Sequence, residues 1–190
     1  NAFDALGVES SYSFETKEIR SADKLILPGI GHHGTTMTAL KELNLIDVLN
    51  HEVLISKKPV LGICLGMQLM TNFSEEGSSN GFGWIDANTK RIQPENTKDF
   101  KVPHVGWNLI ESQDSSPLLS GLSTENEPFY FCNTYAIDNI DAKLNSSFYM
   151  YDKKYIAHFE SNNIFGVQFH PEKSHGQGMA LLKNFLEFNN

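Results

Sequence analysis

Between Thr35 and about Ser56 the apolar residues Met37, Leu40, Leu43, Leu45, Ile46, Leu49, Val53 and Leu54 recur at helical spacing. Short apolar runs stand on either side. KLILPGIG (24–31) reads as a strand ending in a Pro/Gly loop, and Pro59 opens a second strand, VLGI. A helix is expected from Cys64 to about Phe73, followed by a polar Ser/Glu/Gly/Asn loop. The pattern then turns to short β-like pieces: GWIDA (83–87), KRIQP (90–94), FKVPHVGW (100–107), FYFCNTYAI (129–137), SFYMY (147–151), YIAHFE (155–160) and NIFGVQF (163–169). Residues 175–179 lead into a last amphipathic helix, ALLKNFLEF. At the other end NAFDALG suits the close of a helix stopped by Gly7. A parallel sheet normally sets a strand before such a helix, so a strand is expected ahead of residue 1.

Strand and helix alternate in the first half, which predicts an open, mostly parallel α/β sheet flanked by helices. The β-rich middle predicts an added antiparallel portion. There is no internal repeat, low-complexity tract or long linker. The 190 residues suffice for one full-sized core, so a single domain over 1–190 is expected.

Composition narrows the function classes. Net charge is −8 and no basic run could track phosphates, which argues against nucleic acid as a partner. No apolar stretch reaches the roughly 18 residues of a membrane span. No signal peptide is visible. Cys64 and Cys132 are the only cysteines, too few for a disulfide framework, so a cytoplasmic location is expected.

The chemistry concentrates at Gly62-Ile63-Cys64-Leu65-Gly66, which has the layout of a nucleophile elbow with Cys in place of Ser. Such a turn lifts its side chain out of the sheet's carboxyl edge, where open α/β sheets bind ligands. The following helix N-terminus favours thiolate over thiol. The Leu65 N–H can face an anion that forms during attack. A nucleophilic Cys needs a base, and the base needs an orienting group. His170 follows the strand GVQF, and Glu172 stands two residues on, on the same side in extended geometry. The carboxylate can then fix the tautomer of the imidazole and stabilise its charged form. His32 and His33 are expected to line the mouth of the site, His51 a solvated helix face, and His158 a packed strand. Cys132, inside an apolar run, is expected in the core. No second ligand cluster has metal spacing, so neither metal nor cofactor is expected.

Taken together, PGIG (28–31), GICLGMQ (62–68) and GVQFHPEKS (166–174) resemble the class I, triad-type glutamine amidotransferases. VPHVGWN (102–108), SEEG (74–77) and FYF…Y (129–135) are similar to the glutaminase subunit of imidazole glycerol phosphate synthase. The resemblance implies that Cys64 attacks the side-chain amide of L-glutamine. His170 would protonate departing ammonia and then activate water against a γ-glutamyl thioester, held by Glu172. It implies an oxyanion hole from Gly29, Ile30, Gly31 and Leu65. Substrate contacts would come from Gln68, Glu76, Asn133, Thr134 and Tyr135. His104, Trp107, Asn108 and Lys173 would face a partner, a (β/α)₈-barrel synthase subunit that uses the ammonia in histidine biosynthesis as half of a heterodimer. Asn133-Thr134 stands where many members read His-Ser, and GIGHHGTTM carries an unexpected His pair. Other readings are a paralogue feeding an enzyme that aminates a nucleotide sugar, a stand-alone γ-glutamyl cysteine hydrolase, and a non-catalytic binding module.

Overall fold

The computed structural model describes residues 2–112, 116–141 and 143–189. Its helices are α1 (Ala2–Ala5), α2 (Thr16–Ser21), α3 (His33–Glu42), α4 (Leu45–Asn50), α5 (Leu65–Leu69) and α6 (His175–Glu187). Its strands are β1 (Leu25–Leu27), β2 (Val60–Ile63), β3 (Thr71–Ser74), β4 (Ser79–Asn80), β5 (Ile85–Arg91) and β6 (His104–Asn108). There follow β7 (Glu111–Ser112), β8 (Phe129–Asn133), β9 (Tyr135–Ile137), β10 (Asn145–Tyr151), β11 (Lys153–Ser161) and β12 (Ile164–Val167).

The main sheet has the order β1-β2-β12-β11-β10-β7. β1, β2 and β12 run parallel, and antiparallel pairing continues the sheet through β11, β10 and β7. A second sheet, β4-β3-β5-β9, and a ribbon, β6-β8, make up the β-rich middle. The expected α/β architecture, helices flanking a sheet with added antiparallel strands, is what forms.

Alternation along the strands builds a core on each face of the sheet. Leu61, Ile63, Phe165 and Val167 point to one side, with Phe129, Phe131, Tyr149, Phe169 and Phe185. Val60 and Ile164 point to the other, with Leu49, Val53, Met67, Met70, Ile85, Ile156 and Phe159.

Two helices differ from the pattern-based expectation. The long helix after Thr35 begins at His33 and breaks at Asn44, whose φ of 56° lies in the left-handed region that Asn tolerates. Beyond α4 the chain widens into a π-helical turn, His51–Ile55, with the Ser56 N–H reaching back to the His51 carbonyl. The helix after Cys64 is also shorter than expected. Thr71 Oγ1 donates to the Gln68 carbonyl (2.8 Å), and the chain enters β3.

The elbow works because α5 lies directly on β1 and β2. A Cβ on Gly66 would sit 1.7 Å from the Leu27 carbonyl oxygen, and one on Gly62 would sit 2.6 Å from the Gly66 carbonyl carbon. Neither neighbour can yield, because both are backbone. Gly66→Ala is therefore expected to destabilise the fold by on the order of 3 kcal/mol or more, read by chemical denaturation; a loss under about 1 kcal/mol would show that α5 is free to lift.

Candidate active site

β2 ends at Ile63, and the chain turns at Cys64 with φ 53° and ψ −105°. A non-glycine residue there is strained by about 1–3 kcal/mol and persists only where its surroundings hold it. Here the Cys64 N–H donates to the Val167 carbonyl (2.8 Å), and the Gln68 N–H returns to the Cys64 carbonyl (3.2 Å). The sulfur is buried, with 7% of the residue exposed. Burial pushes the thiol up to about 12, and the nearby Glu172 and Glu76 carboxylates push the same way against a favourable contact from the Leu65 amide. At rest this is a neutral thiol. It points toward the Cys132 carbonyl at 3.9 Å and receives the Gln168 side-chain N–H at 3.5 Å.

His170 and Glu172 meet, with Nδ1 2.8 Å from Oε1, but across a 3-10 turn at Pro171–Lys173 rather than along an extended strand. The other ring nitrogen, Nε2, is buried and unpartnered. That leaves a single nitrogen for proton transfer. Burial raises the affinity of Glu172 for a proton, but the His170 bond, its own backbone N–H and Lys173 outweigh this and hold it below the ordinary carboxylate range. Its support for a protonated imidazole is therefore complete above that range and is lost as pH falls through the lowered native value.

One expected oxyanion donor, the Leu65 N–H, is already engaged. The Leu65 N–H donates to the Gly29 carbonyl at 3.4 Å, a long bond that occupies the donor an oxyanion would need. Gly29 permits this approach, since a Cβ there would lie 2.9 Å from Leu65 Cβ. Ile30 is 83% exposed. Two surface hollows, of about 660 and 380 Å³, are lined by residues such as Arg20 and Leu43 and by residues such as Lys90 and Asp138; Cys64 lines neither.

The expected substrate residues have partners within the chain, and the histidine placements need correction. Gln68 is buried and its amide nitrogen donates to the Tyr135 carbonyl and to Gln168 Oε1, both at 2.9 Å, so that nitrogen is not available to substrate. Asn133 is buried on the core face of β8 and donates to the Tyr135 carbonyl (2.9 Å) and the Tyr149 hydroxyl (3.3 Å). The Thr134 carbonyl accepts from the Ile92 N–H. Glu76 Oε2 accepts the His33 N–H at 2.8 Å. His33 does not line a mouth. It is fully buried with Nδ1 2.6 Å from Ser79 Oγ, and burial lowers its pKa. His32 is exposed and caps α3, accepting the Thr35 N–H at 3.3 Å.

His104 cannot face a partner. It lies on the inward side of β6, stacked 3.9 Å from the Tyr151 ring centroid, and burial lowers its pKa to about 4. Trp107 does face outward, 45% exposed, with its ring stacked on His175 (5.0 Å, 6°). Asn108 donates to the Met150 carbonyl (2.9 Å), and Lys173 lies 5.4 Å over the Tyr130 ring. Cys132 is not a core residue: it alternates with the buried Phe131 and Asn133, is half-buried, and adjoins Cys64. His51 and His158 stand as expected, one exposed and one fully buried.

The class-I glutamine amidotransferase family model matches residues 7–188. The chain belongs to this family. Among curated relatives, this amidotransferase is 43% identical to imidazole glycerol phosphate synthase subunit HisH 2 of Pseudomonas aeruginosa, over 98% of this chain and 91% of that protein. It is 41% identical to subunit HisH of Haemophilus influenzae, over 98% and 88%. Among solved structures it matches a glutamine amidotransferase with TM-score 0.73 at 17% identity, covering 98% of this chain and 89% of that one. The glutaminase domain of Trypanosoma brucei CTPS with bound acivicin gives TM-score 0.66 at 16% identity, over 100% and 85%. At those identities the likeness concerns the fold.

Two residues beside His170 and Cys64 take no role from the sequence, although both lie in GVQFHPEKS (166–174). Gln168 lies inside the apolar strand-like run before His170, where a polar residue could have drawn attention. Ser174 closes the GVQFHPEKS motif, but nothing in the sequence assigns it a role. It is buried, donates to the His170 carbonyl (2.7 Å) and accepts the Tyr130 N–H (3.0 Å), tying the His170 turn to β8. Among the described residues no group of three or more His, Cys, Asp or Glu converges as a metal ion requires. Ser174→Ala is expected to cost about 1–3 kcal/mol in denaturant unfolding, because a part-buried N–H loses its acceptor. Unchanged stability would mean that water reaches Tyr130.

Proposed function

We propose that this amidotransferase is the glutaminase subunit of an imidazole glycerol phosphate synthase, acting in histidine biosynthesis and passing ammonia to a (β/α)₈-barrel synthase subunit. The observation that carries the catalytic half is the state of His170. Glu172 holds Nδ1 at 2.8 Å and Nε2 is left buried and unpaired. The pathway half rests on 38–43% identity to HisH subunits across 97–98% of the chain.

Cys64 Sγ attacks the side-chain amide carbon of L-glutamine, and His170 Nε2 takes the thiol proton. The C–N bond then breaks, that proton leaves with the amine, and ammonia and a γ-glutamyl thioester result. Water gives a proton to His170, attacks the thioester carbon and releases glutamate, and the thiol is restored. Glu76 receives the α-ammonium, and backbone groups of Thr134 and Tyr135 meet the α-carboxylate.

The partner supplies what the resting site lacks. Before the Leu65 N–H can stabilise an oxyanion, the Gly29 carbonyl must turn away. The exposed Ile30 lies next in the chain. The outer side of the β6-β8 ribbon presents Val105 and Trp107, with Leu109 just beyond β6, beside Lys173. That apolar stripe with a flanking cation is the proposed docking face, formed by Val105, Trp107, Leu109 and Lys173; Asn108, on the His104 side of β6, is turned to the Met150 carbonyl instead. Docking there places ammonia release next to its consumer, which matters because free ammonia protonates and diffuses away.

Isotope-labelled glutamine tests the reading. Alone, the chain should turn over slowly. With the synthase subunit the rate should rise on the order of 100-fold, the worth of one oxyanion donor. Cys64→Ala should abolish turnover in both settings. Full activity without a partner would favour the stand-alone hydrolase, and turnover surviving Cys64→Ala would remove the nucleophile. Co-purification of a nucleotide-sugar aminating enzyme instead would move the chain to another pathway.

A further inference from the structure

β12 pairs β2 in parallel register, Ile164 with Val60 through Val167 with Ile63. Carried one residue further, that register sets Gln168 beside Cys64. Gln168 is fully buried, and its side-chain nitrogen lies 3.5 Å from Sγ. Which end of its amide faces the sulfur is decided by a chain of partners. The Tyr135 carbonyl can only accept, so the Gln68 group 2.9 Å from it is the NH₂. The same NH₂ lies 2.9 Å from Gln168, so that end of Gln168 is the oxygen. The N–H left over points at the sulfur. One backbone carbonyl thus fixes two amides in series.

We infer that Gln168 is a catalytic residue of this site: its side-chain N–H donates to Cys64 Sγ, fixing the sulfur's position and favouring the thiolate. Gln68 is the positioning residue that orients it. The sulfur sits between this donor and the Cys132 carbonyl, which accepts a hydrogen bond from the resting thiol. Once the proton leaves for His170, the Cys132 contact has nothing to hold, whereas the Gln168 contact strengthens, because a donor bonds an anion about twice as strongly as a neutral group. An amide suits the task. It offsets burial of the sulfur without adding a charge, and it does not compete with His170 for the proton. Sequence spacing adds a consistency: Gln68 lies one helical turn beyond Cys64 on α5, and Gln168 two residues before His170, so both halves of the relay are built into the elements that carry the nucleophile and the base.

This inference rests on Cys64 being the nucleophile, and the test separates the two. The rate of Cys64 alkylation by iodoacetamide at about pH 9 is measured on the full chain by mass spectrometry of the Cys64 peptide, together with glutaminase kinetics. A hydrogen bond to a charged group is worth about 1.5–3 kcal/mol, so Gln168→Met should slow alkylation by at least about tenfold. Turnover number should fall in parallel, with KM for glutamine little changed. A variant that merely loosened the fold would expose a thiol of ordinary pKa, near 8.5, and react faster, so unfolding cannot imitate the expected result. Should Gln168→Met fail to fold, Gln68→Met leaves Gln168 in place without its orienting partner and must also slow alkylation. Alkylation as fast as wild type in folded Gln168→Met, or in Gln68→Met where that variant decides, overturns the inference while leaving the nucleophile intact. Turnover surviving Cys64→Ala would overturn the underlying reading instead.

Discussion

The strained turn at Cys64 is the constraint on which the rest of this structure depends. A residue with a side chain is held at φ 53° by two backbone bonds, one from each neighbouring element. That conformation is maintained only because β2 is locked between β1 and β12, and because α5 lies on the sheet with no side chain at Gly62 or Gly66 to lift it. The sheet thus supplies the strain energy, and the turn converts it into a sulfur presented at the strand's carboxyl edge. The sulfur's own partners come from neighbouring strands, Gln168 from just beyond β12 and the Cys132 carbonyl from β8.

The same packing that positions the sulfur also keeps it idle. Burial pushes the thiol up to about 12, and the Gly29 carbonyl occupies the Leu65 N–H. An amide is a poor electrophile, and its attack needs both a thiolate and an anion-binding donor. A site with neither ready wastes little glutamine by itself. The proposed dependence on a synthase partner follows from this economy: the resting arrangement is stable, and it needs a rearrangement of one short Gly-rich loop rather than of the triad, whose His170–Glu172 bond is already made.

The β6-β8 ribbon shows how one element serves both halves of that proposal. Its inner face, Phe129, Phe131 and His104, is buried, and this sets the ribbon's depth. Its outer face carries Tyr130 and Cys132 toward the reacting residues and Val105 and Trp107 toward solvent. Ser174 bolts the ribbon to the His170 turn. A body pressing on Trp107 would therefore press on an element joined by hydrogen bonds to the proposed base.

The sequence by itself determined the α/β class, the elbow and the His170–Glu172 pair. The first two are local signals: apolar runs of strand length and glycines flanking one cysteine. The pair is read at strand spacing, yet Pro171–Lys173 is a 3-10 turn, and the two side chains meet across that turn. Trp107 was placed toward a partner only by the family resemblance, and the structure shows it exposed. The sequence misplaced residues whose role depends on which face of a strand turns inward. His104 and Asn133 went to the core and Cys132 to the site, because alternation sets two faces but not which one the fold covers. The extent of the helix after Cys64 was likewise lost, since Thr71 caps it through a tertiary strand start. Only the tertiary structure decided the role of Gln168. Residues 64 and 168 lie 104 positions apart. Nothing but the parallel register of β2 and β12 makes them neighbours, and nothing but the Tyr135 carbonyl decides which end of an amide the sulfur meets.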